Sequence, residues 1–414
     1  MIYIYRFLLN IIFIFSPFII LFRLLKKKEH PKRFWEKFCF FSKKKINGKI
    51  LWFHGASVGE LQSIVPLLEK LVKNKKIKKI LITSNTLSSS NVIQNFKSKK
   101  IIHQFFPIDT NFHTKKFIEY WNPGAVFFID SEIWPNMIKN LYEKRIPFGL
   151  LNGRITKKSF KRWMNFPNFS KSIFSKFSIC LSSSHESKIY LKKLGSKKVK
   201  LLGNLKFSQS ENEVNSINLK TKKFISKKVV WCASSTHSDE EKFCGLVHQN
   251  LKSKYKNLLT IIIPRHINRI EEIEDQLQAI GLNVHKDLPK KRIPNNTDVY
   301  LVNSYGKTKP FFSICKNVFL GGSIIDHGGQ NPLEAARFGC NILHGKNISN
   351  FKEIYQFLKN QNITFEINKT KNMIKTLDKL FSSKKNFKKD IKSKINFMGK
   401  KILKNTLKEI NVFL

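Results

Sequence analysis

The feature that most constrains this chain is a rhythm of short, almost continuously apolar runs separated by longer polar or amphipathic stretches. The first series is Ile50–His54, Ile80–Thr83, Ile102–Phe106, Ala125–Asp130, Phe148–Asn152, Ile179–Ser182 and Lys200–Gly203. A strand with one wet face alternates in polarity, whereas a run that is apolar nearly throughout is covered on both faces, as in a parallel sheet. Stretches between the runs, such as Leu61–Lys73 and Glu186–Leu194, read as helices. Strand, helix, strand is the βαβ unit, and its repetition predicts a doubly wound α/β sheet. A polar segment over 209–228 interrupts the series and reads as a linker. A second series follows in Val229–Ala233, Leu258–Ile263, Val299–Val302, Val318–Leu320 and Asn341–Leu343, and a Lys-rich, helical tail over 382–404 ends it. The 414 residues suffice for two full cores. The expected organisation is an N-terminal apolar segment (1–25), two Rossmann-like domains (26–208 and 229–414), and the linker (209–228).

The first 25 residues obey a different rule. No charge appears from Phe7 to Phe22, and only Asn10, Ser16 and Pro17 break the apolar run. Sixteen helical residues reach roughly 24 Å, short of a hydrocarbon core of about 30 Å. Arg6 and Arg23 can snorkel, which extends the reach to Ile2–Leu25. The stretch reads as apolar all round and as a membrane anchor, either crossing the bilayer or lying in its interface. Lys26, Lys27 and Lys28 follow at once, which places the rest of the chain on the cytoplasmic side.

The net charge of +48 favours anionic partners such as lipid headgroups or phosphorylated substrates. Much of it is Lys scattered through every segment, as in a solvated surface. The basic residues lack aromatic interleaving and no nucleic-acid motif appears, so nucleic acid is not an expected partner. Six cysteines at 39, 180, 232, 244, 315 and 340 form no C-x-x-C and no zinc-like spacing. There is no G-x-x-x-x-G-K-[ST] for a nucleoside triphosphate and no D-x-D pair to hold a metal on a diphosphate. Neither metal nor cofactor is expected.

In doubly wound sheets, ligands bind beyond the carboxyl ends of the strands. One strand end leads through Gly55-Ala56-Ser57 into a helix whose first turn carries Glu60. A carboxylate held there suits a general base for a sugar hydroxyl, although a glutamate at a helix start is common. Another strand delivers Asp130, Glu132 and a Trp134-Pro135 turn. A third ends in Asn152-Gly153-Arg154 and a fourth in Gly203-Asn204-Leu205-Lys206, whose cation suits a phosphate or a sugar carboxylate. In the second half, Pro264-Arg265-His266 ends a strand with a fork-shaped cation. Gly321-Gly322-Ser323 permits close backbone approach. At the next helix start Asn331 reads as N-cap, Pro332 as N1 and Glu334 as N3, the pattern of a capping box. That start offers N–H groups to a phosphate, and Glu334 suits a ribose diol equally well.

Taken together these blocks resemble the transferases of 3-deoxy-D-manno-octulosonic acid (Kdo). The resemblance rests on His54-Gly55-Ala56-Ser57-Val58-Gly59-Glu60, Ser131-Glu132-Ile133-Trp134-Pro135-Asn136, Asn152-Gly153-Arg154, Gly203-Asn204-Leu205-Lys206, Ser235-Thr236-His237, Pro264-Arg265-His266, Gly321-Gly322-Ser323 and His327 to Glu334, in the family's order. It implies a two-domain B-type glycosyltransferase fold with an N-terminal anchor. It also implies an inverting transfer of Kdo from a CMP-Kdo donor to a lipid A precursor, at an inner membrane of anionic lipids. Glu60 would be the base, and Glu132 and Lys206 the pair supporting the transition state. Pro264, Arg265, Tyr305, Gly306, Lys307, Asn331, Pro332, Leu333 and Glu334 would hold CMP. Two departures stand out: Lys307 where the family usually has an acidic residue, and Ser234 where it has glycine. The second matters only if that backbone needs positive φ. A B-type transferase using a UDP-sugar, or a membrane-tethered nucleic-acid binder, are the alternatives.

Overall fold

Runs of β-branched and aromatic residues, apolar on both sides, can hide their side chains only between two layers of helix, and the chain builds two such sandwiches. The computed structural model describes residues 1–45, 48–94, 96, 98–209, 217–288, 292–383 and 390–414. It divides into unit 1, Met1–Ser210 with Met398–Leu414, and unit 2, Glu211–Phe397.

Unit 1 holds a sheet of seven strands: β1 (Ile50–His54), β2 (Lys79–Ser84), β3 (Ile101–Phe105), β4 (Ala125–Ile129), β5 (Phe148–Gly153), β6 (Ile179–Ser182) and β7 (Val199–Leu201). Their order is β3-β2-β1-β4-β5-β6-β7, every pairing parallel. Winding therefore reverses between β1 and β4, where Trp52 lies between Leu81 and Val126 in register. The core is markedly aromatic: Trp52, Phe117, Trp121, Phe128, Phe148 and Phe174 are all buried in one cluster.

Unit 2 repeats the plan with β8 (Val229–Thr236), β9 (Leu258–Pro264), β10 (Val284–Lys286), β11 (Val299–Leu301), β12 (Asn317–Leu320), β13 (Asn341–His344) and β14 (Thr364–Glu366). The order is β10-β11-β9-β8-β12-β13-β14, again all parallel, and winding reverses between β8 and β12. Its core is chiefly aliphatic. The α/β doubly wound expectation thus holds for both sheets. Two strands went unforeseen, β10 and β14; both are three-residue edge strands, half-exposed, and carry no apolar run.

Of the expected linker 209–228, residues 210–216 lie outside the described residues. Leu219–Ile225 form a helix with Ile225 buried. The tail also differs from the sequence-based division, which ran the second domain to residue 414. Helix Asp390–Asn411 passes from one unit to the other, and residues 398–414 cluster with unit 1. Packing explains this: Ile402 and Ile410 are buried, Gly203 and Gly399 lie against Ile402 and the Phe207 backbone, Phe413 meets Phe127, and Lys200 pairs with Glu409 at 2.6 Å.

Helix α1 (Ile2–Leu25) precedes unit 1's first strand and is long and apolar enough to cross a membrane.

Candidate active site

β1 ends in the fully buried His54, and the chain turns through Gly55-Ala56-Ser57 into helix α2 (Val58–Leu71). Ser57 caps α2 by accepting from the Glu60 N–H, while Glu60 reaches back in a capping box. The Glu60 carboxylate accepts from the Ala56 N–H at 2.7 Å and from the Ser57 hydroxyl at 2.8 Å. These donors favour its anion, but burial and the like charges of Glu132 and Asp130 outweigh them, and its pKa rises to about 7.

Glu132 comes from the strand next to β1, at the reversal of winding, where such sheets bind ligands. Its Oε2 accepts from His54 Nε2 at 3.1 Å and from Trp134 Nε1 at 2.9 Å. Burial acts to raise its pKa, yet His54 and Trp134 prevail and hold it below the ordinary carboxylate value. Two neighbouring carboxylates are thus driven apart, one toward neutrality and one held ionised, the division of labour an acid–base site requires.

His54 is oriented from behind. Its Nδ1 lies 2.9 Å from Thr83 Oγ1, which also accepts from Trp52 Nε1 at 2.9 Å, and its ring stacks on Phe106 with centroids 3.8 Å apart. Nδ1 faces both the hydroxyl and, at 3.3 Å, the carbonyl of Thr83, so Thr83 fixes the ring from behind while Nε2–H points at Glu132. Nothing in the sequence alone assigns His54 a task. A polar residue closing an otherwise apolar strand was the available signal.

Asp130 and Asn152 sit at the ends of neighbouring strands with φ of 56° and 53°, left-handed values rare outside glycine. Asn152 Nδ2 donates to Asp130 Oδ1, and its Oδ1 accepts the Leu205 N–H at 2.9 Å. This fixes the short helix Leu205–Ser208, which carries Lys206 and packs on α2. Glu60, Glu132 and Lys206, far apart in sequence, therefore all follow the carboxyl ends of strands of the unit 1 sheet.

In unit 2 the sequence blocks fall at the carboxyl ends of strands on either side of β8: Pro264 closes β9 with Arg265 beyond it, Tyr305-Gly306-Lys307 follows β11, and Gly321-Gly322-Ser323 follows β12. Arg265 is exposed, with its N–H on the Thr236 carbonyl at 2.9 Å. Around the end of β8 the His237 ring lies 4.3 Å from His327 and 5.8 Å from His266. Burial first, then His327, His266, Arg265 and Arg269, lower the His237 pKa to about 4. The arrangement is a positive field suited to an anion. Lys307 lines a cavity of about 1100 Å³ that also contains Lys220, Lys223, Arg292 and Asn303.

Glu240 organises this end of the sheet and was missed in the sequence. It is buried, and its two oxygens accept from the N–H groups of His237, Gly322, Ser323 and Ile324 at 2.7–3.1 Å. The close approach expected at Gly321 is to the protein itself: a Cβ there would strike the Ser235 carbonyl and the Thr236 backbone. Ser235, with φ of 55°, is the strained residue; Ser234 is not among the positive-φ residues, so serine there adds no backbone strain, although its buried hydroxyl has no hydrogen-bond partner among the described residues.

The expected capping box at Asn331 forms only in part. Asn331 Oδ1 accepts the Leu333 N–H at 3.2 Å, but the helix starts at Leu333, with Pro332 at its cap position, and ends at Arg337. Glu334 falls one position short of N3, so the reciprocal geometry is lost. Among the described residues no group of three His, Cys, Asp or Glu is placed to hold a metal.

Residues 32–209 match the family described as 3-deoxy-D-manno-octulosonic-acid transferase (kdotransferase). The chain is 31% identical over 375 residues to the probable 3-deoxy-D-manno-octulosonic acid transferase, mitochondrial, of Arabidopsis thaliana, covering 87% of this chain and 84% of that one. It is 32% identical to the 3-deoxy-D-manno-octulosonic acid transferase of Rickettsia bellii, covering 88% and 87%. Among solved structures, UDP-GlcNAc 2-epimerase from Neisseria meningitidis aligns with a TM-score of 0.56 at 16% identity, over 87% of this chain and all of that one. S. aureus MnaA aligns at 0.58 and 13%, over 88% and 97%. At such identities the likeness is one of fold.

Proposed function

The chain belongs to the 3-deoxy-D-manno-octulosonic acid transferase family, and on that footing we propose that it moves Kdo from CMP-Kdo to a lipid A precursor, lipid IVA, with inversion at the anomeric carbon. The observation that carries the mechanism is the split pair at the β1–β4 reversal, Glu60 raised to about 7 and Glu132 held as an anion by His54 and Trp134. A base works best with a pKa near the working pH, which is where Glu60 stands. Glu60 takes the proton of the acceptor hydroxyl as its oxygen bonds to the anomeric carbon. The bond from that carbon to the CMP phosphate breaks, and CMP leaves with the electron pair. The Glu132 carboxylate supports the positive charge that develops on the sugar, the Lys206 ammonium meets the sugar carboxylate or the leaving phosphate, and Arg265 meets the phosphate.

The CMP site is assigned to Pro264, Arg265, the Tyr305-Gly306-Lys307 turn and Asn331 to Glu334. The acceptor's acyl chains remain in the inner membrane, on whose cytoplasmic face the enzyme works. Anionic lipids attract its basic surface.

The test is one incubation of purified protein with a CMP-Kdo-generating system and lipid IVA, read by mass spectrometry. The expected product carries one or more added Kdo residues, and Glu60→Gln lowers the rate by about 10²–10⁴-fold. No product with CMP-Kdo, or wild-type turnover by Glu60→Gln, overturns the reading.

A further inference from the structure

The apolar helix α1 is sided, in the sense opposite to a core helix. Its covered positions are Ile2, Tyr5, Arg6, Leu9, Phe13, Ser16, Ile20, Arg23 and Leu24, a single stripe at three- and four-residue spacing along the whole helix. That stripe holds Tyr5, Arg6, Ser16 and Arg23. The remaining surface is exposed and, Asn10 apart, apolar, with Tyr3, Phe18 and Leu25 each more than 70% accessible. Polar groups face the protein, and the apolar face has no protein partner.

Both ends of the helix are fastened to unit 1. At the start, the Tyr5 hydroxyl donates to Asp109 Oδ2 at 2.8 Å, and Arg6 donates to Asn136 Oδ1 at 2.9 Å and Asn111 Oδ1 at 2.7 Å. At the middle, Phe13 packs on Phe38 and His113. At the end, Arg23 donates to Glu29 at 2.6 Å, and Lys37 joins Glu29 to the Asn85 carbonyl. Asp109 in turn accepts the N–H groups of Asn136 and Met137, so the helix start is bonded to the turn that follows Glu132. Tyr5 and Arg23 stand 18 residues apart, about 27 Å along the axis, so the two fastenings are separated by nearly the thickness of a hydrocarbon core. A helix crossing the bilayer puts its ends on opposite sides, and one of these fastenings would have to be abandoned.

We propose that α1 lies flat in the headgroup layer of an anionic membrane and does not cross it, its apolar face in the lipid and its polar stripe bonded to the start of the helix that follows Glu132. The proposal rests on the lipid-bound acceptor above and adds how the enzyme meets it. Lipid is the occupant for two reasons. Lys26, Lys27 and Lys28 follow the apolar face directly, which matches anionic headgroups. The exposed Trp35 and Phe40, aromatic residues suited to an interface, join the helix through Phe38, on which both Phe13 and Trp35 pack, and the Lys116 ammonium lies 5.5 Å from the Phe40 ring.

The native cysteines are all buried, so single fluorophores can be placed on Tyr3→Cys, Ile14→Cys and Leu25→Cys in the full chain. Depth-dependent quenching is read in vesicles of phosphatidylethanolamine and phosphatidylglycerol. A flat helix puts all three labels at one depth, about 5–10 Å below the headgroup boundary. A label at position 14 near the bilayer centre, with 3 and 25 shallow, overturns the proposal, as does failure of the labels to enter lipid. Kdo transfer by the same labelled proteins in detergent keeps the outcomes apart: activity with a crossing helix sinks only the orientation, and a flat helix without activity sinks only the function.

Discussion

The elevated pKa of Glu60 makes a quantitative demand on activity. A base must be ionised, and a group raised to about 7 has its anion above that pH and loses it as pH falls through that value. At pH 6 about a tenth of Glu60 is ionised and at pH 8 about nine tenths, so kcat/KM should rise about ten-fold between them. An unperturbed glutamate, titrating near 4.5, would leave the same interval flat. The structure also names the causes, burial first, then Glu132 and Asp130. Asp130→Asn removes one like charge while keeping an oxygen for Asn152, so the acid limb should move to lower pH. The assay is initial-rate Kdo transfer to lipid IVA in detergent from pH 5 to 8.5, wild type beside Asp130→Asn. Acceptor phosphates, with a second ionisation near 6, also titrate here, but identically for both proteins. Only the displacement belongs to Glu60. A limb in the same place for both proteins, or a flat wild-type profile, refutes the reasoning.

Three further expectations follow from unit 2. Arg265→Ala should weaken CMP binding about 10–100-fold by calorimetry, the worth of a charge-assisted bond of about 1.5–3 kcal/mol, while leaving acceptor affinity nearly unchanged. An unaltered CMP dissociation constant would remove Arg265 from the phosphate. Glu240→Gln sets an amide NH₂ against two of four backbone donors and should cost about 3 kcal/mol, seen as a lower thermal midpoint; an unchanged midpoint would mean the loop holds itself. Gly321→Ala drives a Cβ into backbone that cannot yield and should destabilise by about 3 kcal/mol or more in urea unfolding.

What the sequence determined by itself is the layered plan. Parallel strands covered on both faces must be written as apolar runs, so β1, β2, β4, β6, β9 and β13 were legible within a residue or so at each end. β10 and β14 are short edges with one side in water, and nothing in their composition separates them from loop. The site blocks were legible because each follows a strand, and Ser57 with Glu60 carries its cap in local sequence. The pairing of His54 with Glu132, across 78 residues, was not: it exists because β1 and β4 are neighbours at the point where winding reverses. The same adjacency brings Asp130 and Glu132 near Glu60 and shifts its titration, a property of distance that no spacing encodes. Glu240 looked like any charge in a helix until four backbone N–H groups converged on it. Helix α1 shows the division most clearly. Its apolar character is written in its composition, but which face meets protein depends on Asp109, Asn111 and Asn136 arriving from β3 and β4, and only the folded sheet brings them there.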